Sequence, residues 1–215
     1  MVPEVKIRKF KTQDRAAVRQ IVYDTAFMGS SAGLFFQGQE VISDALSLYF
    51  TDYESDSCFV AEINLKVVGY LIGARNKINA EAIFSRQLAP ALFFKALKFG
   101  IFLKIKNLVF IFSCLKDLLI NGIKTPDFNQ KYPATFHINI QDGFRRQNIG
   151  ALLVSAYLNY LKTEGVLGVH LATMSVSAAN FFLSQGFVQL YKGKRSYFRD
   201  ILHRDVPLYI FGKLL

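Results

Sequence analysis

Cysteine is scarce: the 215 residues contain two, Cys58 in an expected strand and Cys114 in an expected helix. That excludes a disulfide framework and a thiolate metal site. Both read as reduced core residues, the common fate of a free cysteine, with a reactive thiol as the alternative. Long apolar runs are also missing. In the most apolar stretch, Ala80 to Ile123, the longest uncharged piece is Asn107 to Leu115, well short of the roughly 20 residues that a membrane-spanning helix needs. No apolar segment follows the first charges at the N-terminus, so no secretory signal is expected and residence should be cytoplasmic. Long polar tracts are absent and 52% of residues are hydrophobic, which excludes a disordered chain. No Ser-His-Asp arrangement, carboxylate pair or metal-ligand set stands out. Acidic residues are few, 16 against 26 Lys plus Arg, for a formal charge of +10. Such a surface attracts anions, whether phosphate-bearing ligands, nucleic acid or acidic lipid. No nucleic-acid reading motif accompanies the charge, so nucleic acid is not an expected partner.

What is present is an alternating α/β chain of a length that suits one domain, residues 1–215. Val5 to Phe10 reads as an edge strand, and Thr12 as the N-cap of a helix through Phe27. Glu40 to Tyr53 forms a second helix. Cys58 to Ile63 and Val67 to Ala74 make a hairpin about Asn64-Leu65-Lys66. Near the end, Ile201 to Arg204 precedes a last strand at Leu208 to Phe211. Lys192-Gly193-Lys194-Arg195 reads as a basic turn, either solvated or in contact with a phosphate.

The richest segment is Tyr132 to Phe187. Phe136, Ile138 and Ile140 alternate with His137 and Asn139, the period of a half-buried strand. A polar stretch, Gln141 to Asn148, leads into a helix from about Ile149 that keeps apolar spacing until Gly165. A helix start exposes unpaired N–H groups and partial positive charge, so a loop folded tightly onto it can hold a phosphate or pyrophosphate. Arg145 and Arg146 add charge, Gly150 permits close backbone approach, and Asn148 tolerates a left-handed backbone. The other reading is an ordinary strand-to-helix connection carrying two solvated arginines.

Arg145-Arg146-Gln147-Asn148-Ile149-Gly150 resembles the pyrophosphate loop of the GNAT superfamily of acyl-CoA N-acyltransferases, Arg/Gln-x-x-Gly-x-Gly/Ala, with Asn148 in the first glycine position. Val169 to Thr173 looks like that family's next strand, and Ser175 to Phe187 resembles its second cofactor motif. Tyr132-Pro133-Ala134-Thr135-Phe136-His137-Ile138 is similar to the strand entry of a branch that includes acetyltransferase-like domains found beside O-GlcNAc hydrolases. The resemblance implies an α/β fold with a mixed, mostly antiparallel sheet splayed at a cofactor cleft, helices on both faces, and a helical insertion at about 80–123 before the fourth strand. It implies acetyl-CoA or CoA as cofactor, bound by Ile138, Ile140, Arg145, Arg146, Gln147, Asn148, Ile149, Gly150, Ala151, Ser175 and Phe182. It further implies acetyl transfer to an amine acceptor, with backbone N–H of the Phe136 to Ile140 strand polarising the thioester carbonyl. Ser175 and Phe182 depart from the family, which usually carries Asn and Tyr there. In many members that Tyr protonates the departing thiolate, a step for which Phe182 has no proton. A degenerate module that binds acyl-CoA without efficient turnover is the alternative.

The resemblance makes Tyr23, Phe27, Phe35 and Phe36 candidates for the acceptor pocket, against the plainer reading of core aromatics. His137 and His170 stand on adjacent expected strands; either could take the ammonium proton of the acceptor, or both could be buried as neutral hydrogen-bonded imidazoles. Asn139 can orient but cannot act as a base. For the insertion, three roles are open: helices packed on the core, a dimer or acceptor surface, or an amphipathic element resting on an anionic membrane.

Overall fold

The computed structural model describes residues 4–122 and 125–215, so Ile123, the expected end of the insertion, lies outside the described residues. Two antiparallel sheets organise the chain. The first has the order β1 (Lys6–Lys9), β2 (Cys58–Ile63), β3 (Lys66–Ala74) and β4 (Thr135–Ile140). The second has β5 (Gly168–Thr173), β7 (Val206–Leu214) and β6 (Val188–Arg195), with β7 in the middle. A parallel bridge, Ala134 to Val169, joins them. The expected hairpin between β2 and β3 turns on Asn64 and Leu65, both left-handed at φ 48° and 63°, as a tight two-residue hairpin requires.

Helices α1 (Arg15–Thr25) and α2 (Gln39–Tyr53) cover one face. Val18, Ile21 and Val22 of α1 pack on Val60, Tyr70 and Ile72. Helices α6 (Ile149–Thr163) and α7 (Val176–Ser184) cover the other, where Leu153, Tyr157, Phe182 and Phe187 meet Phe59, Leu71, Phe136 and Phe211. Thr12 does not cap α1. It opens a single 3₁₀ turn, Thr12–Asp14, and the Asp14 carboxylate accepts the Lys11 N–H at 2.8 Å. The acidic side chain that can reach back three residues takes the capping role.

Lys192 to Arg195 is not a turn. It forms the end of β6, paired with Tyr209, Leu208, Pro207 and Val206 of β7, and the chain turns only afterwards, through the short helix α8 (Arg199–Leu202) and left-handed His203. Lysines suit an edge strand, where they discourage pairing with another chain.

The insertion is helical as expected, but it starts earlier, at α3 (Lys77–Ile83). A π turn, Phe84–Leu88, then leads to α4 (Ala89–Lys98) with Pro90 in its first turn, and α5 (Ile105–Asp117) follows. One face of α4 and α5 is docked. Phe110 of α5 stacks on Phe198 at 5.8 Å and meets Phe35 at 4.6 Å, and Asp117 accepts from the Ser196 N–H at 2.6 Å. Asn107, wholly buried, is the clamp on the α1–α2 loop. Its Oδ1 accepts from Gln37 N–H at 2.7 Å, and its Nδ2 donates to the carbonyls of Gln37 and Ile101 at 2.9 and 3.0 Å. Asn107→Leu keeps the branched shape but leaves the Gln37 N–H facing a methyl group, at a cost of about 1–3 kcal/mol, while the carbonyls of Gln37 and Ile101 lose one donor and keep Lys104 Nζ and Lys104 N–H. The expected result is a melting temperature lower by about 6 °C in a chain of this size, read by calorimetric unfolding.

Candidate functional site

The bridge at Ala134 is where the two sheets part. Ala134 N–H donates to Gly168 O at 3.1 Å, and His170 N–H donates to Ala134 O at 2.9 Å. Beyond it β4 stays with β3 while β5 stays with β7, leaving a V-shaped gap. Because strand residues aim N–H and C=O to alternate edges, Phe136, Ile138 and Ile140 share the direction of Ala134 and point theirs into the gap. The Ile140 carbonyl already accepts from Arg145 Nε at 3.1 Å. The edge at Phe136 and Ile138 thus resembles an open sheet edge, able to receive the amides of an extended ligand.

At the wide end of the gap stands the start of α6. Asn148 precedes it in the left-handed conformation, φ 63°, with no side-chain cap. The first bond of the helix is Leu152 N–H to Asn148 O, so helix geometry frees the N–H groups of Ile149, Gly150 and Ala151. Gly143 and Arg146 are also left-handed, φ 87° and 63°. Alternation of left- and right-handed residues turns successive N–H groups inward into an anion-binding concavity. Arg145, Arg146, Gln147 and Asn148 are all exposed around it. A pyrophosphate fits this donor set, and an extended amide-bearing arm fits the adjoining strand edge.

Two loop residues differ from expectation. Arg145 is tied to the fold: besides Ile140 O, its Nη2 donates to Gly29 O at 2.7 Å in the α1–α2 loop, leaving Arg146 as the less encumbered cation. Gly150 is buried, and a Cβ there would sit 3.2 Å from the Phe181 ring and 3.5 Å from Ile140 Cδ1. Its missing side chain therefore lets α6 seat against α7 and β4. A bulky residue at Gly150 would disturb packing as well as any ligand. Gln147 Nε2 donates to Gly143 O at 3.2 Å within the loop.

On α7, Ser175 serves as N-cap, its hydroxyl accepting Ala178 N–H at 3.3 Å. Phe182 faces inward, 3% exposed, among Phe136, Phe187 and Phe211. The half-buried ring that touches the α6 start is its neighbour Phe181. Sequence reasoning passed over Phe181, since spacing alone does not say which of two adjacent rings a short helix turns inward.

The histidines separate. His170 is buried, its Nδ1 2.6 Å from Tyr132 O, and burial pushes its imidazole below the ordinary value; this is the neutral, hydrogen-bonded arrangement. His137 extends from β4 toward α2, edge-on to Phe50 at 5.5 Å. By accessible surface it is exposed, yet surrounding protein depresses its imidazole below 6.5 through desolvation. Beside it, Asn139 Nδ2 donates to the buried Tyr70 hydroxyl at 2.9 Å.

The acceptor-pocket aromatics are mainly core. Phe27, Phe35 and Phe36 are 7%, 4% and 5% exposed and belong to one aromatic cluster with Phe198 and Phe110. Only Tyr23 is half-buried. Tyr197, which the sequence did not single out, donates its hydroxyl to Met174 Sδ at 3.0 Å where β5 ends. Two open hollows lie away from the cleft, one bordered by Arg19, Asp44 and Lys95 and one by Arg8, Asp14 and Glu62. Ion pairs cross both, so neither offers free chemistry. Among the described residues no group of acidic, His or Cys side chains could hold a metal, and no helix is long and apolar enough to cross a membrane. Cys58, its thiol pushed up to about 12 by burial, is inert.

No family model and no curated protein matches the sequence. Solved structures do. SsHAT aligns at a TM-score of 0.74 with 21% identity over 99% of this chain and 98% of its own. The Drosophila melanogaster polyamine N-acetyltransferase, which catalyses formation of N-acetylagmatine, aligns at 0.66 with 13% identity over 99% and 100%. An N-acetyltransferase from Staphylococcus aureus Mu50 aligns at 0.61 with 12% identity over 98% of each. The splayed sheets, the phosphate-type loop and these full-length superpositions agree: the chain has the fold of the GNAT N-acetyltransferases.

Proposed function

We propose that the protein is an N-acetyltransferase that moves an acetyl group from acetyl-CoA to a primary amine. The observation that carries the reading is the open edge of β4 meeting the uncapped start of α6, one site suited to both an amide-bearing arm and a pyrophosphate. The N–H groups of Ile149, Gly150 and Ala151 and the Arg146 guanidinium would hold the phosphates, and the edge groups of Phe136 and Ile138 the arm. When bound, the donor supplies an activated thioester. An N–H of the β4 edge would stabilise negative charge on the acyl oxygen. His137, neutral at pH 7 because its pKa is depressed, would take the ammonium proton as the amine attacks from the α1–α2 side. Asn139, fixed on Tyr70, would orient. Acceptors reported for fold neighbours, agmatine among them, make small cationic amines the first class to assay.

A second reading, acyl-CoA binding without efficient turnover, is favoured by Phe182, which has no proton to donate to a leaving thiolate. The experiment is calorimetric titration with CoA and acetyl-CoA, followed by acetyl transfer across an amine panel. Binding with turnover supports the first reading, binding alone the second, and no binding sinks both. Ala151→Pro sharpens the test. It removes one free N–H at a position where the helix does not use it, and proline is tolerated in a first turn. Losing one charge-assisted hydrogen bond, about 1.5–3 kcal/mol, is expected to weaken CoA binding by about tenfold or more with little change in unfolding temperature.

A further inference from the structure

The docked insertion has a second face. Among the described residues, thirteen of the twenty-three exposed large apolar side chains fall between Phe93 and Ile120. The inward positions Asn107, Phe110 and Asp117 of α5 are matched by an outward stripe at Ile105 and Phe112 and, in the π turn that follows the helix, Leu119, which are 75%, 70% and 73% exposed. Phe94 and Leu97 are exposed on α4, and Leu103, 89% exposed, stands at the turn between the two helices. Inner packing already has its partners in Phe35 and Phe198, so this outer face is surplus to the fold. Monomeric proteins rarely leave so concentrated an apolar surface uncovered.

The charges around it select the cover. Residues 77–122 contain seven Lys or Arg against two acidic residues, Glu81 and Asp117. Asp117 is turned inward to Ser196 and Arg195, while Lys98 and Lys116 are exposed on the outer side; Lys104 and Lys106 are exposed too, but their ammonium groups donate to Gln37 O and Gly33 O of the α1–α2 loop. A second copy meeting this face by two-fold symmetry would set lysines against lysines with no exposed acid on α4 or α5 to answer them. An anionic bilayer surface supplies both halves of the complement: acyl boundary for the aromatic and aliphatic side chains, headgroup charge for the lysines. Helix α5, about 20 Å long by its thirteen residues, suits lying in the interface and not crossing it.

We propose that the outer face of α4 and α5 seats the protein on anionic lipid bilayers as a peripheral attachment. This goes beyond acetyl transfer and does not depend on it. The test is flotation of the full chain with phosphatidylcholine vesicles and with vesicles also containing phosphatidylglycerol, beside light scattering without lipid. The expected result is at least about tenfold greater partitioning to the anionic vesicles, weakening with salt. Phe94→Ser combined with Phe112→Ser changes two exposed side chains, so the fold should persist by circular dichroism while partitioning falls about tenfold. Lys98→Glu with Lys116→Glu should abolish the preference for anionic lipid. Absence of partitioning, equal partitioning to neutral vesicles, undiminished binding by the Phe variant, or a lipid-free dimer that this variant dissociates would each overturn the proposal.

Discussion

Replacing His137 by glutamine is expected to lower kcat by about a hundredfold, the lower end of what a positioned general base contributes, while CoA affinity stays unchanged. Glutamine keeps a polar side chain over Phe50 but cannot accept a proton. The pH profile distinguishes loss of a base from loss of shape. Desolvation holds the folded imidazole below 6.5, so wild-type kcat/KM should rise with pH through a value on the acid side of 6.5 and then level. Below that value the ring is protonated and cannot act; above it the neutral base is present. In His137→Gln that acid limb should vanish. A variant with the same limb, or with unchanged kcat, would assign the proton transfer elsewhere.

Gly73→Ala is expected to have the largest effect on the fold. A Cβ there would sit 2.6 Å from Tyr157 Cε2 and closer still to Cζ and the hydroxyl. The Tyr157 ring has nowhere to retreat. It is wholly buried, its hydroxyl is shared between Thr135 O at 2.9 Å and Ala74 O at 3.2 Å, and Phe136 packs edge-on to it at 5.4 Å. Overpacking of this kind costs about 3 kcal/mol, a drop of roughly 10 °C in melting temperature. Gly143→Ala is the contrast: nothing lies within 4 Å of its added Cβ, so only the left-handed backbone, φ 87°, resists the change, at about 1 kcal/mol. Equal melting temperatures for the two variants would refute the packing argument.

The unit from β4 through α6 was legible because its signals are local. Period-two alternation marks the strand, the polar loop interrupts it, and an asparagine able to turn left-handed stands before Ile149. The second sheet was harder to read. Lys192 to Arg195 has the glycine and charge of a turn, but the same composition suits an edge strand whose partner, β7, follows later in the chain. The site was legible in its backbone and less so in its side chains. Arg145 finds its partner at Gly29, 116 residues away, and no loop motif encodes that distance. Phe27, Phe35 and Phe36 are core because Phe110 and Phe198 close on them, an enclosure created only when the insertion folds back. Phe182 lies inward and Phe181 beside the cleft because of how α7 rests on the second sheet, a tertiary choice that one-dimensional spacing leaves open.

The Arg145 tether has a consequence for binding equilibria. One guanidinium grips the end of β4 and the carbonyl of Gly29, so the phosphate-type loop and the α1–α2 loop share an anchor. A ligand that stills either loop lowers the entropy that the other must still lose. Linkage makes such an effect mutual: whatever factor the first ligand adds to the second's affinity, the second returns to the first. If the protein is the acetyltransferase proposed above, its donor and acceptor should bind synergistically, with affinities that depend on each other, and severing the tether should leave two independent binding events.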